Sequence, residues 1–391
     1  MKEKNIVILG GGFGGVRVAL NLEKSLGKER GYRIILMDQN TFHLYTPSLY
    51  EVAAGELSHR CVLLPFHKIF GGKKVKFLNS IVTQLNPSKK LVKTDDGDEI
   101  TYWKLILALG SDTEDFGIPG VAEYAIGLKS VTDAEKVHEH LLHCAVTKGK
   151  PINVVIGGGG FTGVEVAGEL TGYKQCPLNI TMVEGAPRIL AGLPEKISKT
   201  ISRRLNFLGV RIITSSPIKK AEPGKVILGS GRELPYDVLL WTAGVRGSRF
   251  LDSKIFPLDK KKALQVNKHL QVKGFKDIFA LGDLASTGVA WTATKAEEDG
   301  KVVAYNIAAA AKGGEMREYR VFEPPFIIPG GKRWAIAKVG SLIFGGRLAA
   351  ILKDFVLLYY LLTILPVREA FRVWWGGACE ILEIRSPRAH P

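Results

Sequence analysis

Cysteine is scarce in this chain: Cys61, Cys144, Cys176 and Cys379 are the four in 391 residues, all far apart. No CxxC or CxxxxC pair is present, so a closely spaced redox dithiol is not expected. No His/Cys spacing suits a metal, and none is expected. Isolated cysteines fit a reducing compartment. A long apolar run is also missing. The longest, Phe355–Pro366, has 12 residues, short of the roughly 20 that cross a bilayer. The chain enters a strand pattern at Asn5, which leaves no room for a signal peptide. Acidic residues are outnumbered, 38 against 54 basic ones, giving a net charge of +16. Such a surplus attracts polyanions, either nucleic acid or an anionic membrane face. The basic clusters Lys73–Lys76 and Lys260–Lys262 are short and read as solvated turns. No helix-turn-helix or RNA-binding signature accompanies them, so nucleic acid is not an expected partner.

Glycine, by contrast, is arranged with a purpose. Asn5-Ile6-Val7-Ile8-Leu9 runs into Gly10-Gly11-Gly12-Phe13-Gly14-Gly15, and Asn153-Val154-Val155-Ile156 runs into Gly158-Gly159-Gly160-Phe161-Thr162-Gly163. Each apolar run predicts a strand, each glycine run a tight turn into a helix. Each is followed about 20 residues on by a second apolar run ending in an acid, Asp38 and Glu184. In this pattern Gly10 and Gly158 permit the turn, Gly12 and Gly160 let a pyrophosphate approach the backbone, and Gly15 and Gly163 let helix and strand pack closely. The helix N-terminus offers free N–H groups to phosphates. Asp38 and Glu184 are suited to ribose hydroxyls. At Glu184 a 2′-phosphate would be repelled, which favours NAD, although Arg188 four residues on leaves NADP open. Two such sites suggest one dinucleotide held and one visiting, a flavin and a nicotinamide.

The second half of each unit repeats as well. Lys76–Leu107 alternates as short strands around an Asp95-Asp96-Gly97-Asp98 turn. Leu107-Ala108-Leu109-Gly110 and Trp241-Thr242-Ala243-Gly244 both read as buried strands leaving through glycine. The expected architecture is α/β, with two Rossmann-like dinucleotide-binding domains, the second inserted in the first, and a C-terminal helical membrane-surface segment. The boundaries expected are 1–116 and 247–320 for the first domain, 117–246 for the second and 321–391 for the C-terminal region. The aromatic segment Thr41–Glu51 reads either as a cover over a ring or as ordinary packing. His43 within it reads as structural.

With these motifs in place, the chain resembles the two-dinucleotide-binding flavoproteins, and among them the type II NADH dehydrogenases. Ala280-Leu281-Gly282-Asp283 is similar to that family's second FAD motif, and Gly158-x-Gly160-x-x-Gly163-Val164-Glu165-Val166-Ala167-Gly168-Glu169-Leu170 to its NADH motif. Phe42-His43-Leu44-Tyr45-Thr46-Pro47 and Trp241–Arg246 are also family-like. The resemblance implies FAD on Gly10, Gly12, Phe13, Gly14, Gly15, Asp38, Thr46, Pro47, Ala108, Gly110, Gly282, Asp283 and Ala293. It implies NADH as substrate on Gly158, Gly160, Phe161, Thr162, Gly163, Glu184, Ala243 and Gly244, with Glu165 near nicotinamide and flavin as the catalytic candidate. Where the family carries Ala-Gln-x-x-x-Gln-Gln beside its quinone, this chain reads Ala293-Thr294-Lys295-Ala296-Glu297-Glu298-Asp299. A quinone opening is expected at Thr294, Lys295 and Glu298, with Glu298 acting as a donor if burial keeps it protonated.

At the C-terminus, Val367, Ala370, Phe371 and Trp374 fall at helical spacing beside Arg368 and Arg372. The pattern reads as an interfacial anchor, or as a dimer contact or core-packed helix. The resemblance favours the anchor. It implies a homodimer, peripheral on the cytoplasmic face of the cell membrane, that passes a hydride from NADH to FAD and electrons to a membrane quinone. The alternatives are a soluble NAD(P)H-dependent flavin reductase serving a protein acceptor and a flavin redox sensor with little turnover. Removing the apolar C-terminal segment is expected to free the protein from membranes and leave NADH oxidation intact.

Overall fold

A computed structural model describes residues 3–148 and 151–383, with side chains to 376. Cys379 therefore lies outside the described side chains. The strands Lys4–Leu9 and Tyr32–Asp38 are buried runs of Ile, Val, Leu and Met, the signature of strands covered on both faces. They sit at the middle of a five-stranded parallel sheet, in the order Ile278–Ala280, Lys104–Leu107, Lys4–Leu9, Tyr32–Asp38, Val75–Asn79. Alternate residues go to opposite layers. Ile6 and Ile8 meet Val16 and Leu22 of the helix Phe13–Leu26. Val7 and Leu9 meet Leu85 and Val92 of an antiparallel meander formed by Val82–Asn86, Leu91–Thr94 and Glu99–Thr101.

The same plan recurs. A four-stranded parallel sheet runs Arg211–Ile213, Leu178–Val183, Ile152–Gly157, Val238–Trp241. Val154 and Ile156 pack with Val164 on the helix side. Val155 and Trp241 pack with Ile218, Val226 and Leu228 of a second antiparallel meander. The second unit interrupts the first, because strand Ile278–Ala280 returns to the first sheet beyond it. Exit and return lie side by side, Ser111–Thr113 pairing antiparallel with Val245–Gly247.

The C-terminal region adds a three-stranded antiparallel sheet, Phe326–Pro329, Ala335–Val339 and Leu342–Gly346. Gly168 of the second fingerprint helix lies directly on Gly330 and Gly331 of this region. Two helices follow, Arg347–Ile364 and Val367–Glu383. No described helix is long and apolar enough to cross a membrane.

The apolar C-terminal run is two-faced, and one of its faces belongs to the core. Tyr360, Leu361 and Ile364 are buried in the first unit's core with Ile6, Leu22 and Phe66. Leu348, Ile351, Phe355, Val356, Tyr359 and Leu362 stay exposed. In the second helix, Ala370 turns fully inward and the outward row is Val367, Phe371 and Trp375. Trp374 lies between the helices, its indole N–H donating to Asp354 O at 2.9 Å. Truncation would open the first core as well as remove the outer face. The two faces are therefore expected to respond differently to substitution. Leu361→Ala should cost about 2–5 kcal/mol of stability by cavity formation, whereas Tyr359→Ser should stay within roughly 0.5 kcal/mol. Chemical denaturation of the two variants checks this.

Candidate functional site

Each fingerprint glycine meets the physical demand expected of it, in duplicate. Gly10 and Gly158 have φ of +101° and +106°. A Cβ on Gly10 would lie 2.4 Å from Ala108 O, and one on Gly158 2.4 Å from Ala243 Cα. The strand ends Ala108–Gly110 and Thr242–Gly244 thus abut their respective turns. A Cβ on Gly15 would meet Gly10 O at 1.9 Å, and on Gly163 Gly158 O at 2.1 Å. At Gly12 and Gly160 no atom lies within 4 Å of a Cβ position, so both turns face open space at a helix N-terminus. That is the cradle a pyrophosphate needs. Phe13 and Phe161 open the two helices. Gly14 packs against Leu281 and Ala296, and Thr162 lies in the first turn of its helix.

The acids are placed alike too. Asp38 Oδ2 accepts from Gly11 N at 2.6 Å and Oδ1 from Asn40 N at 2.8 Å. Glu184 Oε2 accepts from Gly159 N at 2.7 Å and Oε1 from Ala186 N at 2.7 Å. Each carboxylate ties its second strand to the glycine turn it faces. Burial pushes Asp38 above the usual carboxylate range, with Asn40 and Gly11 opposing. Arg188 is committed elsewhere, donating to the carbonyls of Leu190, Ala191 and Leu193 at 3.2, 2.7 and 2.9 Å.

At the first turn, Asp283 is held from a distance in sequence. Ser111 Oγ donates to Asp283 Oδ2 at 2.6 Å, and Lys129 Nζ donates to Ser111 Oγ at 2.6 Å. Burial draws Lys129 down, with Asp283 and Asp112 resisting. Thr46 and Pro47 form a 3-10 turn after Tyr45, Thr46 exposed and Pro47 half-buried. The preceding segment is packing rather than an open cover. Phe13, His43, Tyr45 and Tyr360 form one ring cluster, with Phe13 centroids 4.9 Å from both His43 and Tyr360. Burial drives His43 down to about 4, with the Gly11 carbonyl opposing. The neutral ring fits its partners: Nδ1–H donates to Gly11 O at 2.9 Å and Nε2 accepts from Tyr360 Oη at 2.8 Å. His43 is structural, as its isolation in the sequence suggested.

Between the two units lies a half-buried cluster of charges. Glu165 and Glu169 sit one turn apart on the second fingerprint helix. Tyr50 and Glu51 come from the short helix Leu49–Ala53, and Lys353 from the C-terminal helix. Lys353 Nζ donates to Glu51 Oε1 at 2.6 Å and to Tyr50 Oη. Burial pulls the Lys353 ammonium down, but Glu51, Glu169 and Asp354 together outweigh it and hold it above the usual lysine range. Burial pushes Glu165 up to about 8, Lys353 opposing and Glu51 adding to the rise. A carboxyl that stays protonated at neutral pH is a proton store.

The three residues expected at an acceptor opening part company. Ala293 begins the helix Ala293–Lys312, capped by Thr292 Oγ1, which accepts from Lys295 N. Thr294 and Glu298 line a cleft of about 890 Å³, with Val302, Arg317, Tyr319, Phe322 and Pro325. Lys295 does not reach it. Its side chain is fully buried, with Nζ 2.6 Å from Asp299 Oδ2 and 2.8 Å from Gly282 O. Helical geometry turns position 295 about 100° away from 294 and about 60° from 298, into the first unit. Glu298 is not the buried donor imagined either, for it is about 42% exposed and ion-paired with Lys301. Glu297 instead faces inward to Arg17, whose Nη2 also donates to Thr363 Oγ1 at 2.7 Å. Lys129, Lys353, Tyr360 and Arg17 escaped the sequence reading. Lys353, Tyr360 and Ile364 do share one helical face, a phase that marks the inward side of the apolar run. Cys144 is buried in the core and its thiol is pushed up by burial, so it suits packing rather than nucleophilic work.

These duplicated turns agree with what the chain is similar to. It belongs to the pyridine nucleotide-disulphide oxidoreductase family, whose model matches residues 4–300. The type II NADH:quinone oxidoreductase of Staphylococcus saprophyticus is 28% identical over 381 residues, covering 90% of this chain and 94% of that one. Its Staphylococcus aureus counterpart is 29% identical over the same coverage. Among solved structures, NDH2 from Plasmodium falciparum in complex with NADH superposes with a TM-score of 0.85 at 18% identity, covering 100% of this chain and 99% of that one. The sulfide:quinone oxidoreductase of Aquifex aeolicus reaches 0.80 at 21% identity, covering 99% and 96%. At these identities the structures attest the fold.

The four turn positions separate binding from folding. Gly12→Ala and Gly160→Ala add a methyl in open space at φ of −72° and −76°, so the fold should hold while dinucleotide binding weakens. Gly15→Ala and Gly163→Ala drive a methyl into backbone and should cost about 1–3 kcal/mol or more. Thermal melting beside titration with FAD and NADH distinguishes the two classes.

Proposed function

We propose that this protein is an FAD-dependent NADH:quinone oxidoreductase of the type II, non-proton-pumping kind. The observation that carries the reading is the pair of equivalent open glycine turns, each tied to an acid, in a chain that matches enzymes of that name over nine-tenths of its length. The turn at Gly12 and the Gly282–Asp283 turn would hold the FAD, and the turn at Gly160 with Glu184 the NADH. Bound FAD supplies the chemistry of accepting a hydride and passing the electrons onward.

The residues around it bind, orient and handle protons. Asp38 and Glu184 shape their turns and offer carboxylate oxygens to the ribose hydroxyls. Because Arg188 is engaged with three carbonyls, Glu184 meets a 2′-phosphate unopposed, which favours NADH over NADPH. The overall conversion, NADH + H⁺ + quinone → NAD⁺ + quinol, takes one proton from water. Glu165 holds a proton at neutral pH and is a positioned carrier for it, recharged through the Glu51–Lys353 cluster. The acceptor cleft is the one lined by Thr294 and Glu298. Its Val302, Phe322 and Pro325 walls suit a quinone ring, and the Thr294 hydroxyl is a donor for its oxygen.

The outward row Phe355, Tyr359, Val367, Phe371 and Trp375, with Arg368 and Arg372 beside it, suits a membrane interface. We place the protein peripherally on the cytoplasmic face as a homodimer, where a lipid-soluble acceptor is at hand. That same row speaks against the soluble reductase and the redox sensor.

Rapid-mixing spectroscopy tests the reading. NADH should bleach the flavin, NADPH should do so at least about tenfold less efficiently, a difference of ~1.4 kcal/mol, and a short-chain quinone should restore the colour. Bleaching with no return on quinone would move the acceptor assignment elsewhere.

Glu165 adds a pH dependence whose sign is fixed. Its folded pKa of about 8 lies above the ordinary 4.5, so the linked stability is whole below the lower value and is lost as pH rises through the upper one. Quinone-driven reoxidation should fall over the same approach to pH 8 and beyond. Glu165→Gln should flatten the profile and slow the step by roughly a hundredfold, read from reoxidation rates across pH 6–9.5, a range of about two units below and 1.5 above that pKa.

A further inference from the structure

Lys295 and Asp299 form a fully buried ion pair on the first turns of the helix Ala293–Lys312. Burying two opposite charges commonly costs as much in desolvation as their attraction returns, and a well-packed apolar pair is often at least as stable. The pair is therefore better explained by what it holds than by the stability it adds. Both charges converge on one residue. Asp299 Oδ2 accepts from the Gly282 N–H at 2.9 Å, and Lys295 Nζ donates to the Gly282 carbonyl at 2.8 Å. Gly282 has a φ of +65°, in the left-handed region. Its two backbone groups are thus fixed from both sides by charge-assisted bonds, the strong class of hydrogen bond.

The neighbours of Gly282 explain why its position matters. Asp283 follows it, aimed by Ser111 and Lys129. Leu281 precedes it and packs so tightly under Gly14 that a Cβ there would lie 2.0 Å from Leu281 Cδ1. A shift at Gly282 would be felt at the Asp283 carboxylate and at the first glycine turn together.

We propose that Lys295 and Asp299 are positioning residues whose ion pair braces the Gly282–Asp283 turn to receive the phosphate–ribityl arm of the flavin. The brace rests on the flavin reading above. It acts on cofactor retention and flavin potential, not on the acceptor.

The test is FAD titration of flavin-stripped protein, by quenching of flavin fluorescence, with the flavin midpoint potential measured on reloaded enzyme. The apolar pair Lys295→Met/Asp299→Leu should fold, bind FAD roughly tenfold or more weakly through loss of two charge-assisted bonds, and shift the potential. The neutral pair Lys295→Gln/Asp299→Asn, which can still bond Gly282, should recover most of the affinity. Wild-type affinity and potential in the apolar pair would reduce Lys295 and Asp299 to core filling and overturn the brace. Should the apolar pair fail to fold, amide exchange in flavin-stripped wild type decides: the Gly282 amide should be protected, and fast exchange there would overturn the brace. A wild-type protein that takes up no FAD defeats the flavin reading itself, whereas an unaffected variant defeats only the brace.

Discussion

The helix Arg347–Ile364 lies where both nucleotide units can be gripped at once, and the arrangement of the site depends on that seating. Three polar side chains on it reach inward: Lys353 to Glu51 and Tyr50, Tyr360 to His43, and Thr363 to Arg17. Each partner is itself bound to the machinery. His43 donates to the carbonyl of Gly11 in the first glycine turn. Arg17 lies on the first fingerprint helix and pairs with Glu297. Glu51 stands beside Glu165 of the second fingerprint helix, close enough to raise its pKa. A half-buried ammonium and its carboxylates are best kept together, so lifting the helix away would part charges drawn from both units. The ring cluster of Phe13, His43, Tyr45 and Tyr360 adds an apolar contact to the same joint.

Within that frame, one chemical solution is used twice. The two glycine turns share φ at their first position, open space at the third, backbone contact at the last and a carboxylate on the second N–H. They differ in their surroundings. Near the first lie the ring cluster, linked to it through His43, and the Gly282 turn, whose Leu281 packs against Gly14. Beside the second lie Arg188, occupied with its own loop, and Phe161, edge-on to Phe326 at 5.6 Å.

This history of constraint explains what was readable in the sequence. The glycine turns, the strands before them and the acids after them are local: each follows from φ, from Cβ clearance and from a strand's period, so residue order alone reveals them. Glu165 was reachable through its motif, but its raised pKa required knowing that Glu51 and Lys353 arrive from about 110 and 190 residues away in sequence. Lys295 was misplaced because composition cannot say which way a helix is rotated. Neighbours at 294 and 298 face the cleft, while 295 and 299, one residue further round, face the core. His43 was read correctly because a lone histidine amid aromatics has few alternatives to packing. Tyr360, hidden in an apolar run, carries no sequence sign of the histidine its hydroxyl meets.

The C-terminal run was the most ambiguous stretch, and its ambiguity was physical. Leu, Ile, Phe and Tyr satisfy a protein core and a bilayer interface equally well, since both remove apolar surface from water. In this chain one helix carries both a buried and an uncovered apolar face. Its inward residues Tyr360, Leu361 and Ile364 complete the first core, and its outward residues Phe355, Val356, Tyr359 and Leu362 remain uncovered. A surface this apolar on the outside of a charged protein marks an interaction site. Because that surface is carried on the same rigid rod as Lys353 and Tyr360, whatever covers it stands one helix diameter, about 10 Å, from the groups that hold the first glycine turn and the Glu165 cluster. A contact on that outer face is thus coupled mechanically to the first glycine turn, through Tyr360 and His43.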